Sequence, residues 1–478
     1  MLHSRFKKLF SKASLSEFLS DLREALAGSE RDFTQIPLSK AILLLSIPMV
    51  LEMIMESVFA LVDIFFVSRL GAEAVATVGI TESLMTIIYA LGIGLSVGTT
   101  ALVSRRIGEK RPEQASVAAV QAIITGIVVS LVFSMAGLFF ARDLLRLMGA
   151  SEETVQMGYM YPAVMLGGNM VIMLLFINNA VFRSSGDAAI SMRVLWFANI
   201  LNIILDPMLI FGIGPFPELG IMGAAVATNI GRGMAVLYQF YLLGKGKYRV
   251  QIRANQIVVR VREMIQLIKL SLGAIGQYII ATSSWIVLVW VVTSLGEDVV
   301  AGYTIAIRIL LFALLPAWGL ANAAATLVGQ NLGAKQPERA ERSAWVVGIA
   351  NMIFLGLVSI IFIAIPDTFI GAFIDRAKDP IVMESGITCL RVISFVFCVY
   401  ALGQVMVNAI NGAGDTATPI WINFIAFWIL EIPLAFFLTK VLNLEIHGVC
   451  YAILVADTSM TLISLAVFRR GKWKLKEV

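Results

Sequence analysis

Long apolar runs separated by short polar connections form the basic pattern of this chain. About twelve runs are long enough to matter, and they begin near residues 41, 75, 115, 155, 190, 221, 267, 300, 344, 384, 417 and 447. About 20 apolar residues suffice for a helix to cross the hydrocarbon core of a bilayer. Because lipid offers no partner to a free backbone amide, we expect these runs to be helices and not open strands. The pattern therefore predicts an all-α integral membrane protein with about twelve transmembrane helices.

Composition and charge agree with that assignment. Of the 478 residues, 59% are hydrophobic and 14% are charged, and a soluble protein cannot keep so much apolar surface from water. The net charge is +5, with Lys and Arg concentrated before the first run, in every second connection and near the C-terminus. The positive-inside rule then predicts a multi-pass protein of the inner (plasma) membrane with both termini cytoplasmic. Topology explains the basic residues, so the expected partner is the lipid bilayer and not nucleic acid, and we expect a monomer.

The polar extension at residues 1–38 predicts a short amphipathic helix, because apolar residues recur at helical spacing among charged ones. These residues are Leu15, Phe18, Leu19, Leu22 and Leu26. The helix could lie on the cytoplasmic leaflet or pack on the protein's own inner surface. No apolar segment of the signal-peptide type follows the first charges. Residues 471–478 are expected to form a basic cytoplasmic tail.

The two halves of the chain repeat each other in register. Leu70-Gly71 matches Leu295-Gly296 at an offset of 225 (296 − 71), and the offset persists without a gap to Ala115 and Ala340. An even number of spans per repeat predicts parallel repeats related by an axis along the membrane normal. We therefore expect an N-lobe at residues 39–243, a basic cytoplasmic linker at 244–262 and a C-lobe at 263–470.

Two carboxylates interrupt the apolar runs of the first half. Asp63 lies in the first run, and Asp206 follows in Asn202-Ile-Ile-Leu-Asp206-Pro207. Charged residues inside a membrane span are costly and usually pair with a partner or mark an ion or substrate path. Two such acids favour a coupled transporter. A helix spacing of four places Asn202 and Asp206 on one face.

Several motifs in this order resemble the multidrug and toxic compound extrusion (MATE) family. They are Pro48 and Asp63 followed by Ser68-Arg69-Leu70-Gly71, the paired loops at 108–112 and 333–337, Arg183-Ser184-Ser185-Gly186-Asp187, the Asn202 to Pro207 segment, and the segment from Gly223 to Thr228. The resemblance covers residues from about 37 to 470. It implies two six-helix lobes that form a V-shaped cavity, and efflux of organic, often cationic, small molecules driven by Na⁺ or H⁺ entry.

The resemblance also implies where the coupling cation binds. The N-lobe pattern of the family maps onto Asp63, Asn202 and Asp206, with Asn179 and Thr228 as additional members. The C-lobe pattern requires acids on the seventh and tenth spans, where this chain offers Gln277 and only Glu384 at the outer start. Oxygen ligands suit a hard cation, and Asp63, Asn202 and Asp206 would hold Na⁺. Two carboxylates that repel each other would equally suit H⁺, so the coupling ion stays open. Asn179 and Thr228 could instead serve only packing.

Further residues of the first and fourth spans are candidates for the substrate cavity. Glu52, Glu56 and Phe59 fall on the same helical face as Asp63, and Tyr161 lies on the span that carries Asn179. The two glutamates could attract cationic substrates, or they could pair with a neighbouring Arg. Pro48 lacks a backbone donor and predicts a bend in the first span, either a moving hinge or a static kink.

Other acids and one base lie in the second half. Glu431 and Asp457 fall near or within the last two spans and could line a cavity, with Arg308 as a possible counter-charge.

The alternatives to an antiporter are weaker. A flippase for lipid-linked precursors shares the parallel-repeat design, but its central cavity is typically basic. Two His and three scattered Cys give little material for an enzyme, and no nucleotide-binding loop or cofactor is predicted. We therefore expect a cation-coupled antiporter that transports Na⁺ or H⁺ against small-molecule substrates.

Overall fold

A computed structural model describes residues 12–29, 31–374 and 376–477, and the described part is helical throughout, without a β-strand. The helices of the first half are α1 (Lys12–Ala27), α2 (Leu38–Ser68), α3 (Ala72–Gly108), α4 (Pro112–Leu147), α5 (Glu152–Gly158), α6 (Met160–Ser185), α7 (Ala188–Ile210) and α8 (Ile221–Gly244). The second half contains α9 (Val261–Thr293), α10 (Glu297–Gly333), α11 (Pro337–Ala364), α12 (Pro366–Gly371), α13 (Pro380–Ser394), α14 (Phe397–Gly412), α15 (Ala417–Val441) and α16 (Glu445–Arg469). Two short 3₁₀ turns at Ala254–Gln256 and Lys472–Leu475 complete the fold.

Nine helices in the described residues are long and apolar enough to cross a membrane, and the pair α13 and α14, bent by 56°, makes a tenth. The prediction of an all-α membrane protein is therefore confirmed. Two further helices, α2 and α8, are 31 and 24 residues long and carry buried ionisable side chains. The predicted number of twelve spans depends on these two helices and stays a prediction.

The internal repeat has a structural counterpart. α3 and α10 are both 37 residues long, and both are followed by a helix that begins with proline. In the loops that join them, Lys110 and Lys335 both adopt the left-handed backbone conformation, with φ of 62° and 58°. Their separation of 225 (335 − 110) equals the offset of the sequence repeat. The same local geometry therefore recurs at the repeat distance.

Each half builds its own apolar core. One buried cluster draws on residues between 67 and 267, and a second draws on residues between 288 and 453. A third cluster joins the halves by packing the first turns of α2 against the C-terminal half of α10. Across the same junction α3 packs on α9 and α10.

Small residues allow the two halves to approach closely at this junction. A Cβ atom on Gly108 would lie 2.0 Å from the carbonyl oxygen of Gln330, and one on Gly319 would lie 2.7 Å from that of Met49. Any larger residue at Gly108 would therefore push α3 and α10 apart. The approach at Gly319 lies directly beside Pro48 of α2.

Segments from both ends of the chain lie across one face of this junction. In the N-terminal segment, the Asp32 carboxylate pairs with Lys110 of the first half, and Arg339 of the second half donates to the Phe33 carbonyl at 3.0 Å. In the C-terminal segment, the Lys476 carbonyl accepts a hydrogen bond from Arg105, and the Lys476 ammonium lies 3.5 Å from Asp415. We call residues 31–36 and 473–477 together the terminal latch.

α1 packs on the protein's own surface. It contacts α2, where Lys40 pairs with Asp21 at 2.5 Å and with Glu24 at 3.0 Å, and Ala25 is fully buried. Leu19 and Leu26 remain exposed, so part of the predicted apolar stripe is still uncovered. The side chains of Leu15 and Phe18 lie outside the residues whose burial is described, as does the backbone of residues 1–11.

Candidate functional site

The buried polar cluster of α7 and α8 contains three of the predicted site residues. Asp206 is 0% exposed, Asn202 is 1% exposed and Thr228 is 6% exposed. The Asn202 amide donates to Asp206 Oδ1 and to Thr228 Oγ1, both at 3.2 Å. The spacing of four residues places Asn202 and Asp206 one helical turn apart, so the amide can bridge the acid and the hydroxyl. The structure therefore brings these three side chains together.

Two oxygen atoms of this cluster have no hydrogen-bond partner. They are Asp206 Oδ2 and Asn202 Oδ1, and both are fully buried. A buried polar atom without a partner costs free energy, and it is uncommon in a well-packed protein. With Thr228 Oγ1 they form a set of oxygen atoms that could surround a small hard cation or share a proton.

Asp63 approaches the cluster from α2. Its carboxylate is partly buried and interacts electrostatically with Asp206, as a neighbouring acid. It also interacts with Arg232 of α8. Asp63 and Asp206 thus repel each other across a site that has low dielectric surroundings, and a bound cation would relieve that repulsion.

Asn179 makes its contacts elsewhere. Its amide nitrogen lies 3.3 Å from Glu52 Oε1, and its amide oxygen accepts a hydrogen bond from Gln239 at 2.6 Å. These contacts place Asn179 in a second polar cluster instead of beside Asp206. The physical reason is that Gln239 and Glu52, on α8 and α2, offer complementary partners on the face that Asn179 presents. Its role in cation coupling stays a prediction.

The glutamates of α2 are paired with arginines. Glu52 is 1% exposed and accepts from Arg183 at 2.7 Å, while Glu56 accepts from Arg232 at 2.9 Å. The alternative of pairing with an Arg is therefore the arrangement in the structure. These two ion pairs neutralise two of the three acids of α2. The third acid, Asp63, has no ion-pair partner among the described residues.

Phe59 and Tyr161 lie close to these charges. The Arg232 guanidinium sits 5.0 Å from the centre of the Phe59 ring, a cation–π contact that uses the ring face. Tyr161 is 2% exposed and belongs to the apolar core of the first half, within electrostatic reach of Asp63 and Asp206. A substrate could reach Tyr161 only after that core opened, so its role as a cavity residue stays a prediction.

Sequence reasoning missed two charged groups of this region. Arg232 pairs with Glu56 and interacts with Asp63, and Glu82 of α3 is a further acid near Asp63. The signal was available for Arg232, since it interrupts the apolar sequence of the sixth predicted run as Asp63 interrupts the first. Glu82 lies near the start of a run and looks like a boundary residue in the sequence.

Pro48 lies inside α2, buried near the junction with α10. α2 continues as one helix on both sides of it, from Leu38 to Ser68. The position beside Gly319 suits either a hinge or a fixed kink, and the prediction of a hinge stays a prediction.

The residues that the family pattern would use in the C-lobe do not form an acidic site. The Gln277 amide exchanges hydrogen bonds of 3.0 Å with Asn411, and Glu384 is exposed on α13.

Comparison with known proteins agrees with the fold and the repeat. The sequence matches the model of the MatE family over residues 48–208 and 274–437. The two matched segments begin 226 residues apart (274 − 48), close to the repeat offset of 225. Together they cover more than half of the chain.

Relatives and solved structures match over nearly the whole chain. The probable multidrug resistance protein NorM of Thermotoga maritima is 25% identical over 446 residues, which are 92% of this chain and 94% of the relative. The FAD transporter of Shewanella oneidensis is 28% identical over 433 residues, 90% of this chain and 94% of the relative. A solved outward-facing conformation of a multidrug resistance MATE family transporter of the MOP superfamily has a TM-score of 0.86 at 25% identity, with coverage of 93% of this chain and 98% of that chain.

These relatives are named for multidrug resistance or transport, and they do not favour the alternative of a lipid-linked precursor flippase. The predicted resemblance is confirmed: the chain belongs to the MatE family of multidrug and toxic compound extrusion transporters.

Proposed function

We propose that this protein is a cation-coupled antiporter that exports organic compounds, cationic or amphipathic in character, while Na⁺ or H⁺ enters through the N-lobe. The cation-coupling residues are Asp63, Asn202, Asp206 and Thr228. Transport proceeds by alternating access of the cavity between the lobes. The protein acts as a monomer in the inner membrane with both termini in the cytoplasm, and it needs no cofactor.

One observation carries this proposal. Asp206 Oδ2 and Asn202 Oδ1 are buried without partners, beside a second acid that repels Asp206. A site built only for packing would give Asp206 a cationic partner, as Arg183 pairs with Glu52, and the described residues provide none. Binding of Na⁺ or H⁺ would remove both the missing contacts and the repulsion.

The coupling follows from differential affinity. A ligand shifts a conformational equilibrium only by as much as its affinities for the two states differ. A conformation that brings Asp63 toward Asp206 binds the cation more tightly than one that separates them. Cation binding therefore favours one arrangement of α2 against α7, and α2 transmits it to the junction through its contact with α10.

The substrate class rests on less direct support. Relatives are named for multidrug resistance, and one is named an FAD transporter. FAD is a dinucleotide with a negatively charged pyrophosphate, so it has the opposite charge to an organic cation. The second candidate cargo is thus a dinucleotide, and the name of that relative is the reason to test it.

The test is gradient-driven transport in proteoliposomes. An inward Na⁺ or H⁺ gradient should drive a fluorescent organic cation out of vesicles that contain wild-type protein. Asp63→Asn and Asp206→Asn should remove this response, while Glu384→Gln, an exposed acid of the second lobe, should keep it. FAD is assayed in parallel. Gradient-driven movement that persists in both aspartate variants would contradict the N-lobe site.

A further inference from the structure

The second lobe contains a cavity of about 260 Å³ that the coupling mechanism does not use. It lies between α9, α10, α15 and α16 with side chains of α13 and α14 closing one side. Two acids, Glu431 and Asp457, face into it. Its volume is slightly below the usual range for small-molecule pockets, which begins at about 300 Å³, so it suits a small ligand.

The acids of this cavity lack the arginine partners that Glu52 and Glu56 of the N-lobe have. Glu431 is 5% exposed and accepts one hydrogen bond from the Ser284 hydroxyl at 2.7 Å. Asp457 interacts with Glu431 as a neighbouring acid. Among the described residues, neither acid forms an ion pair, and Arg308, the predicted counter-charge, is exposed and forms none either. The cavity therefore carries acidic groups with no protein cation to neutralise them.

The internal repeat shows how this difference arises. At the offset of 225, Arg232 corresponds to Asp457 (457 − 232) and Glu56 corresponds to Ala281 (281 − 56). The register holds on α8 and α16, because Gly223 and Gly448, also 225 apart, both press closely against the preceding helix. The ion pair of the N-lobe is thus replaced in the C-lobe by an acid and a small apolar residue, and both face the cavity.

The same comparison excludes a copy of the N-lobe cation site. Asp63 corresponds to Leu288 (288 − 63) and Thr228 corresponds to Ile453 (453 − 228), and both of these apolar residues line the cavity. A small hard cation needs a shell of oxygen ligands, which these walls do not supply. The walls suit a cation that carries its own apolar surface.

Aromatic side chains complete that description. Trp285, Tyr303 and Tyr400 line the cavity together with Phe397 and Phe427. Aromatic faces attract organic cations, most strongly where water is excluded. Tyr303 is 1% exposed, and its hydroxyl, in the neighbourhood of the Trp285 indole, makes no hydrogen bond of good geometry. This buried hydroxyl is a polar group that points to a missing partner.

The backbone at Glu431 is also unusual. The segment Phe424–Glu431 of α15 is π-helical, followed by a short α-helical turn that contains Pro433. Wider helical turns of this kind are rare and occur often at functional sites. The π-helical segment ends at the acid that faces the cavity.

We propose that this cavity binds a small organic monovalent cation, such as an aromatic or alkyl ammonium compound, at Glu431 and Asp457 between the aromatic walls. The site is separate from the N-lobe coupling site and binds without a cation gradient. It is a ligand site of the C-lobe whatever the coupling ion is.

The experiment measures equilibrium binding of benzyltrimethylammonium to the purified full-length protein in detergent, without any gradient. Glu431→Gln and Asp457→Asn should each weaken binding at least about tenfold, since each removes a charge that acts in low dielectric surroundings. Glu384→Gln is the matched control, because it neutralises an exposed acid of the same lobe, and it should bind as wild type does. The uncharged carbon isostere neopentylbenzene should bind at least about tenfold more weakly.

A second variant keeps the test decisive if neutralised proteins fail to fold. Leu314→Trp retains both acids and fills part of the cavity, so it should also lose binding. Asp63→Asn should lose coupled transport and keep this binding, which separates failure of the site from failure of the antiport proposal. Unchanged affinity in folded Glu431→Gln and Asp457→Asn, or equal binding of the neutral isostere, would overturn the proposal.

Discussion

At the scale of residues, the protein treats its membrane acids in two ways. Glu52 and Glu56 each form an ion pair with an arginine, whereas Asp206 forms no ion pair among the described residues. A buried charge that is paired contributes little beyond the cost of its own desolvation. A buried charge without a partner is costly and is kept where it binds something. This difference separates structural from coupling acids without reference to any relative.

We predict that Asp206→Asn removes coupled efflux and does not destabilise the protein. Asn is nearly isosteric with Asp, and it removes the repulsion between Asp206 and Asp63. The same substitution removes the negative charge that would attract the coupling cation. The rate of efflux should fall at least about tenfold, which corresponds to an increase of about 1.4 kcal/mol or more in the activation free energy of transport. Thermal unfolding in detergent should show an unchanged or higher midpoint. A large fall in that midpoint would mean that Asp206 is a structural residue.

Arg232→Gln, unlike Asp206→Asn, should destabilise the protein. It leaves Glu56 without its ion-pair partner in a site where Arg232 is 6% exposed. Breaking a fully buried pair destabilises a protein by about 3–5 kcal/mol, and the loss should be smaller here because the Glu56 side chain is 29% exposed. Adding Glu56→Gln should restore much of the lost stability, and the double-mutant cycle measures the coupling. No recovery in the double variant would show that Arg232 acts through Asp63 and not through Glu56.

The sequence revealed the residues of the α7 and α8 cluster but not all of their partners. Asn202 and Asp206 were predictable because a spacing of four fixes them on one face of one helix. Asn179 was not, because its partners Glu52 and Gln239 come from two other helices whose rotation no sequence pattern specifies. Arg232 was missed for a different reason, since among the charged residues of the apolar runs only acids were treated as site candidates in the first half, and Arg232 is a base in such a run.

At the scale of elements, apolar runs predicted the helices well because lipid imposes both their length and their hydrogen bonding. The observed helices begin within seven residues of the predicted starts, for example at Ala417 for the run expected near 417 and at Pro337 for the run expected near 344. The bend between α13 and α14 and the π-helical turns of α15 were not predicted. Both features depend on packing and on where the backbone hydrogen bonds shift by one residue, and neither leaves a periodic signal in the sequence.

Pro48 provides the prediction at this scale. If α2 moves about Pro48, then Pro48→Ala should straighten the helix and weaken the link between Asp63 and the junction with α10. Efflux should fall several-fold, by roughly the factor expected for a coupling free energy of about 1 kcal/mol. Substrate affinity without a gradient should change little, because Pro48 does not touch the cation cluster. Wild-type efflux in this variant would show that the kink is static.

At the scale of the whole molecule, the two lobes are joined by an apolar junction and by the terminal latch. The latch ties Lys110 and Arg105 of the first half to Arg339 and Asp415 of the second through chain segments that belong to neither lobe. A motion that separates the lobes on this face must break these contacts. The latch was not predictable, because polar terminal segments carry no pattern that specifies where they pack.

The Asp32 contact with Lys110 gives the latch a dependence on pH. Burial acts to raise the pKa of Asp32, but hydrogen bonds from Lys110 and Thr34 outweigh it and hold the pKa below its usual value. A lowered pKa in the folded protein contributes stability above the unfolded pKa of about 4, and that stability is lost as the pH falls through the folded value. The ion pair is partly exposed, with 34% of the Asp32 side chain and 60% of the Lys110 side chain accessible, so solvent screening should keep the effect below about 1 kcal/mol.

The measurement is hydrogen exchange of residues 31–36 between pH 3 and pH 6, corrected for the intrinsic rate. Protection in wild type should fall toward the acid end, and Asp32→Asn should show low protection throughout. Glu297→Gln, on the first turn of α10 and remote from the latch, serves as the matched control. Equal protection in wild type and Asp32→Asn at pH 6 would show that the ion pair does not hold the latch.

The central claim is that cation and substrate exchange through one N-lobe site, and substrate-driven ion movement tests it most directly. Proteoliposomes containing the protein are given an organic-cation gradient with no gradient of Na⁺ or H⁺, and the flux of both ions is followed. Wild-type protein should move one of the two ions against the substrate, and Asp63→Asn and Asp206→Asn should move neither while Glu384→Gln behaves as wild type. Substrate-driven ion flux that survives in both aspartate variants would contradict the account.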